Sequence, residues 1–320
     1  MATTLDLAAA EPALRAHPTG PGQWARTIMR FCRRKPLGAV GGAIVVAMLV
    51  IAVFVDTAII GGSRPLIAPD GYNHQHIQKQ YRDQGASLSH PMGTDELGRD
   101  IFSRVLYGVR ISAVIGLGGV LFATVVSIVL GTVSGYFTGW VDTIIQRFVD
   151  TVLAIPPLIL VIYAIITFSS RSGPYGRMFW ITVIVGFIVA MATTRVIRGA
   201  AIATANNQYV DAARTIGATD MRIVFRHIIP NVVPVAIVLA TVNVGTVVLA
   251  EAAISFLGYG IPSPFPSLGG MLNITGASQF RVHPIQAVWP GVTIALLVYG
   301  FNMFGDALRD VLDPRLRGGR

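Results

Sequence analysis

Apolar stretches long enough to form membrane-crossing helices alternate along this chain with shorter polar segments. An α-helix needs about 19 residues to cross the hydrocarbon core of a bilayer. In windows of that length the pattern predicts six spans: Leu37–Val55, Val109–Val133, Thr143–Phe168, Phe179–Val196, Val232–Leu257 and Ile285–Phe304. Internal glycines and prolines do not argue against them, because neighbouring helices re-satisfy the backbone. Pro156 and Pro157 predict a kink in the third span. The expected fold is all-α, a polytopic membrane protein with an arm over residues 1–36, a membrane domain over 37–305 and a tail over 306–320. Residues 61–108 and 198–231 are the polar excursions of the membrane domain.

The second excursion contains a compact charged insert, YVDAARTIGATDMRIVFRHIIPN, from Tyr209 to Asn231. Its spacing predicts a short helix over Tyr209–Ile216, with Tyr209, Ala212, Ala213 and Ile216 on one side. Gly217 supplies the stop, since glycine enters the left-handed conformation without steric cost. Thr219 or Asp220 is placed to cap a second helix over Met221–Ile229, with Val224, Phe225 and Ile228 as its apolar side and Pro230 as its end. Such an element suits either an amphipathic loop at the lipid surface or a docking element for a soluble partner. Small residues (Ala212, Ala213, Gly217, Ala218) permit close approach of another surface. A DNA-binding helix–turn–helix is disfavoured by the short apolar tether on either side.

Composition agrees with a membrane protein: 53% of residues are hydrophobic, only 13% are charged, and the mean hydropathy is +0.62. The average soluble domain has roughly 25% charged residues. Net charge is +9, but the basic residues are scattered among apolar runs and form no tract for nucleic acid. A cleavable signal peptide is not expected, because the first apolar core begins only at Leu37. Lys and Arg are retained on the cytoplasmic side of spans. A cytoplasmic N-terminus assigns 16 of the 25 basic residues to the inside and 9 to the outside, which places both termini and the 209–231 insert in the cytoplasm.

Charged and polar residues supply a few further candidates. Glu251 follows Val232 by about 28 Å of helix, near the outer end of the fifth span, and must face the bundle interior or a water-filled cavity. Thr94 is placed to cap a helix starting at Asp95 and Glu96, and Asp100 and Arg104 fall at i and i+4 on one face of it. His74 and His76 form an HxH pair without the further ligands a structural metal site needs. Asn273–Thr275 matches a glycosylation sequon, and the single cysteine, Cys32, has no intrachain partner.

The insert resembles the EAA loop of ABC importer permeases, in which an acidic residue and two alanines precede a glycine and, at a fixed spacing, a proline. Asp211, Ala212, Ala213, Gly217 and Pro230 carry the likeness, and Ala218, Arg226 and His227 lie in the same stretch. Asp211 stands where glutamate is commoner, and the HIIPN ending is similar to the peptide and nickel branch. HPMGTDELGRDIFSRVLYGVRIS, from His90 to Ser112, resembles the stretch before the second span of the C-type dipeptide and oligopeptide permease. Gly93, Thr94, Asp95, Gly98, Arg99 and Asp100 are its signature positions. SFLGYGIPSPFPSLGGML and PGVTIALLVYGFNMFGDALRDVLDPRLR are similar to the end of the same subunit, so the resemblance runs from about Pro36 to Arg317.

The resemblance implies that Asp211 to Gly217 form a coupling helix seated in a cleft of an ATP-binding subunit. Consistently, the chain has no GxxxxGK[ST] phosphate loop and only two lysines. ATP and magnesium are then expected on partner ATPase subunits, with no cofactor on this chain. The implied partners are a second homologous permease, two ATP-binding subunits, an extracytoplasmic substrate-binding protein and a peptide substrate, in a bacterial cell membrane. Nickel or another small solute is the alternative cargo. An intramembrane enzyme and an ATP-independent transporter are the alternatives of another class. The enzyme lacks a histidine within the predicted spans, and the transporter gives the Gly217 elbow no purpose.

Overall fold

A computed structural model describes residues 29, 32–33, 35–56, 65–75, 85–169, 172–277 and 284–312. The chain divides into two units, Met1–Pro36 and Leu37–Arg320; the first lies almost wholly outside the described residues. The main helices are α1 (Pro36–Phe54), α2 (Ile101–Tyr136), α3 (Trp140–Ala154), α4 (Pro157–Ser169), α5 (Pro174–Ala205), α6 (Gln208–Thr215), α7 (Asp220–Phe256), α8 (Leu268–Ala277) and α9 (Pro284–Leu312). Among the described residues there is no strand, only the isolated bridges Asp56–Pro65 and Thr94–Asp100. The all-α expectation holds.

Five helices are long and apolar enough to cross a membrane, and the α3–α4 pair makes a sixth if it counts as one span. That pair corrects the expected third span. Thr143–Phe168 is not one kinked helix but two helices meeting at 91°. Ile155 is extended, as the residue before a proline is pushed to be, and Pro157 opens α4, where its missing N–H has no bond to lose. Both prolines thus act at one joint, and the hydrogen-bond ladder stops there. The other spans were found: α1, at 19 residues, has the expected length, and the rest are longer than predicted; α2 has 36 residues, about 54 Å of helix.

At the centre, α2 and α5 run in the same direction and touch backbone to backbone. A Cβ on Gly186 would stand 2.5 Å from the Gly119 carbonyl oxygen, and one on Gly135 would stand 2.8 Å from that of Arg198. Small residues permit this approach where lipid offers helices no hydrophobic drive to associate. The antiparallel α7 closes the core with Val244, Val247 and Val248 against α2, and α9 packs along α7. The bundle therefore has an Asp100 end, where α2 and α5 begin, and a Gly217 end, where they finish.

Candidate functional site

At the Gly217 end, α6 is held by one narrow stripe. Val210 and Ala213 are buried among Ile197 and Ala201 of α5 and Ile223 and Ile228 of α7. This corrects the expected apolar side: Tyr209, Ala212 and Ile216 are exposed, Ile216 by 86%. Four of the eight residues, Tyr209, Val210, Ala212 and Ala213, are apolar or small, and packing against α5 and α7, which periodicity does not see, selects the two that are buried. Gly217 then takes φ 84°. Its N–H donates to the Arg214 carbonyl (2.9 Å) and the Ala218 N–H to that of Ala213 (3.0 Å), the pair of bonds that closes a Schellman turn.

The second arm differs more from expectation. Thr219 sits at the cap position, but its side chain makes no cap bond. Asp220 accepts from the Tyr136 hydroxyl at 2.7 Å instead. The Arg214 guanidinium lies 5.5 Å from the centre of the same ring, so the end of α2 ties the two arms together. Val224 and Ile228 are buried, whereas Phe225 points outward. Pro230 does not end the helix. Val224–Ile228 form a π-helical turn in which the Ile229 N–H reaches back to the Val224 carbonyl, and the helix continues to Phe256. The widened turn moves carbonyls away from the proline ring, and the proline has no N–H to leave unpaired.

The outward surface of this element combines apolar and charged groups. Tyr209, Ile216, Met221 and Phe225 are exposed, as are Asp211, Ala212, Arg222 and Arg226 around them. Asp211 and Arg214 pair at 3.3 Å, both well exposed, so the pair adds little to stability. The His227 ring is half-buried, 6.0 Å from that of Tyr209. Asp211 to Pro230 are thus gathered on one continuous piece of backbone.

At the Asp100 end, the expected helix over Asp95 does not form. Gly93 and Gly98 have φ 82° and 72°, and the Asp95 carboxylate accepts from the N–H groups of Leu97 and Arg99, both at 2.9 Å. This closes a loop, with Arg99 Nε 2.7 Å from Asp95. Thr94 is buried in the loop, and the cap is Asp100, which accepts from the N–H and hydroxyl of Ser103 (both 2.7 Å). Its other oxygen faces His90 Nδ1 at 3.2 Å. The expected Asp100–Arg104 pair gives way to bonds from Arg104 Nη1 to the carbonyls of Tyr72 (3.1 Å) and Pro264 (3.4 Å). Periodicity missed His90, Tyr72 and Pro264, and only the HPMG stretch that opens the signature hinted at the first.

Glu251 lies inside the bundle with no exposed surface. It accepts from Ser255 on its own helix (2.7 Å) and Ser112 on α2 (3.2 Å). The sequence also missed Asp142 of α3, which takes both Nε and Nη2 of Arg198 at 2.7 and 2.6 Å. Of the HxH pair, His74 stands 3.5 Å from Asp70, and His76 lies outside the described residues. Among the described residues no group of three or more His, Cys, Asp or Glu is placed to hold a metal ion.

Residues 127–318 match the family described as binding-protein-dependent transport system inner membrane component. The glutathione transport system permease protein GsiD of Pectobacterium atrosepticum is 37% identical over 73% of this chain and 76% of its own. The dipeptide transport system permease protein DppC of Alkalihalophilus pseudofirmus is 34% identical over 96% and 98%. The oligopeptide transport system permease protein OppC of Bacillus subtilis is 33% identical over 92% and 90%. A solved structure of the MetNI methionine ABC transporter in inward-facing conformations shares the fold. Its TM-score is 0.51 at 19% identity, covering 67% of this chain and 96% of that one. With its bundle of apolar helices and these matches along nearly its full length, the chain belongs to the binding-protein-dependent transport system inner membrane components and is a multi-pass membrane permease.

Proposed function

We propose that the chain is one of two permease subunits of an ATP-driven importer of peptides. In this reading the Gly217 end faces the cytoplasm, as the bias of basic residues favours. Two ATPase subunits carry ATP and magnesium and dock there. An extracytoplasmic binding protein delivers peptide at the Asp100 end. The names of the relatives support the cargo: dipeptides, oligopeptides and glutathione all present peptide bonds and charged termini.

The observation that carries the reading is the unbroken run from α6 through the Gly217 turn and the π-helical turn into α7. A force applied to the exposed Tyr209–Ile216–Phe225 surface passes through the closed Gly217 turn and the buried Val210–Ala213 stripe into α7, which runs on to Glu251 and the core of the bundle. That is what coupling between ATP hydrolysis and alternating access requires.

Ile216→Arg tests it. The side chain is almost fully exposed in the isolated chain, so the permease should fold normally. The complex should lose ATPase subunits on purification and import dipeptides at least about tenfold more slowly, the effect of losing about 1.4 kcal/mol at a docking surface. Undiminished import by an intact complex would remove the docking role. Competition of labelled dipeptide uptake by nickel chelates separates peptide from metal cargo.

A further inference from the structure

We propose that a cavity at the Asp100 end is a side-chain-selective site for the transported peptide. It takes a bulky apolar side chain between aromatic rings and the two oppositely charged peptide termini against the Asp56–Arg110 pair. The proposal rests on the peptide reading above and deepens it.

The cavity measures about 680 Å³ and lies between Asp56 just after α1, α2, the start of α5 and the segments 65–75 and 257–268. Ligand pockets run from about 300 to 1,000 Å³, walled by apolar and aromatic groups with a few polar ones that set orientation. Here the rings form one connected wall. Tyr72 stacks on Phe265 at 5.2 Å and meets Tyr107 edge-on at 5.2 Å, and Tyr175 meets Phe265 edge-on at 5.5 Å. An apolar side chain, an aromatic one above all, finds both faces and edges to pack on.

The polar groups narrow the ligand further. Arg110 Nη1 stands 2.6 Å from the Asp56 carboxylate, and both side chains are mostly buried at the wall. A ligand of single charge would upset this neutral couple in a poorly solvated place. A zwitterion brings one charge for each member. Peptides combine two opposite termini with a side chain of variable bulk, whereas a lipid phosphate or a simple cation does not.

The site is also braced. Arg104 donates to the carbonyls of Tyr72 and Pro264, so the two segments that bring Tyr72 and Phe265 together hang on one buried guanidinium. Such support keeps a binding constellation in place before the ligand arrives. Nothing in the periodicity of the sequence foretold it, because its walls come from five separated stretches.

Val114 lines the cavity from α2 and is nearly half exposed, so its size can be changed without opening the core. The test uses the whole transporter in proteoliposomes, with dialanine and diphenylalanine as substrates and the ratio of their uptake rates as the readout. Val114→Trp fills the cavity and should lower the diphenylalanine-to-dialanine ratio about tenfold, within the range a pocket achieves by steric selection. Val114→Ala widens it and should raise the ratio. A ratio that neither substitution moves, or that both move the same way, overturns the site and leaves the peptide reading standing. Were a lipid chain or a partner's loop the occupant, both peptides would slow together and the ratio would stay put, which equally overturns it. Failure of the unsubstituted transporter to import either peptide would overturn the peptide reading and the site with it.

Discussion

Glu251 shows how a single carboxylate is accommodated at membrane depth. A bare charge in hydrocarbon costs a few kcal/mol, and this one is turned inward onto the hydroxyls of Ser112 and Ser255. Glu251→Ala leaves both hydroxyls without their acceptor and opens a cavity, at a cost of about 3 kcal/mol. Glu251→Gln keeps the shape and an acceptor oxygen, and should stay within about 1 kcal/mol of the parent. Thermal unfolding of the purified permease in detergent measures both, and equal destabilisation by the two would show that charge, not the hydroxyl contacts, holds α2 to α7. The inward direction of Glu251 was legible in the sequence, because only an interior position spares the carboxylate the lipid. Its partner was not. Ser112 lies 139 positions away, and no local pattern marks one serine among the many on α2. The same limit hid His90 behind Asp100 and Arg198 behind Asp142, whereas Gly217 was legible because its positive φ (84°) is a local demand.

The elements show the same division between what the chain does locally and what packing decides. A proline pair predicts an interruption, and one occurs at Pro156 and Pro157; its 91° angle comes from where α3 and α4 each pack on α5. Pro230 looks identical in sequence terms and does the opposite, lying inside a continuous helix because a π-helical turn makes room for its ring. If the proline is what holds that turn open, Pro230→Ala restores the missing N–H and lets it relax to α-helix. Rewinding a π turn to α-helix with the same residues rotates everything before it by about 100° about the helix axis, carrying Phe225, Met221 and the Gly217 elbow with it. If the proposed function holds, the variant should assemble with the ATPase subunits less productively, and peptide imported per ATP hydrolysed should fall severalfold even though the helix itself gains stability. An unchanged ratio would mean that burial of Val224 and Ile228, not the proline, maintains the turn.

At the scale of the whole bundle, the position of the Gly217 end and of the Asp56–Arg110 cavity depends on how closely α2 and α5 approach. Tyr136 at the last turn of α2 anchors Asp220 and Arg214, while the first turns of α2 and α5 line the cavity near Asp56. The two ends thus move together only if the seam between these helices is rigid. Glycine content alone does not locate the seam, since α5 carries glycines of opposite meaning. At Gly186 the three atoms nearest an added methyl would all be backbone of Gly119, the first at 2.5 Å, and a backbone cannot step aside. At Gly199, in the same helix, it would meet nothing within 4 Å. Gly186→Ala should therefore push α2 and α5 apart and cost about 1–3 kcal/mol, as overpacking does. Gly199→Ala should gain about 0.4–1 kcal/mol by stiffening the unfolded chain and favouring helix. Thermal unfolding of the two variants under one set of conditions gives the sign of each change. Opposite signs identify the α2–α5 seam as the rigid spine between the Gly217 elbow and the Asp56–Arg110 cavity. A Gly186→Ala protein as stable as its parent would mean that the two helices are free to slide, and that motion at one end need not reach the other.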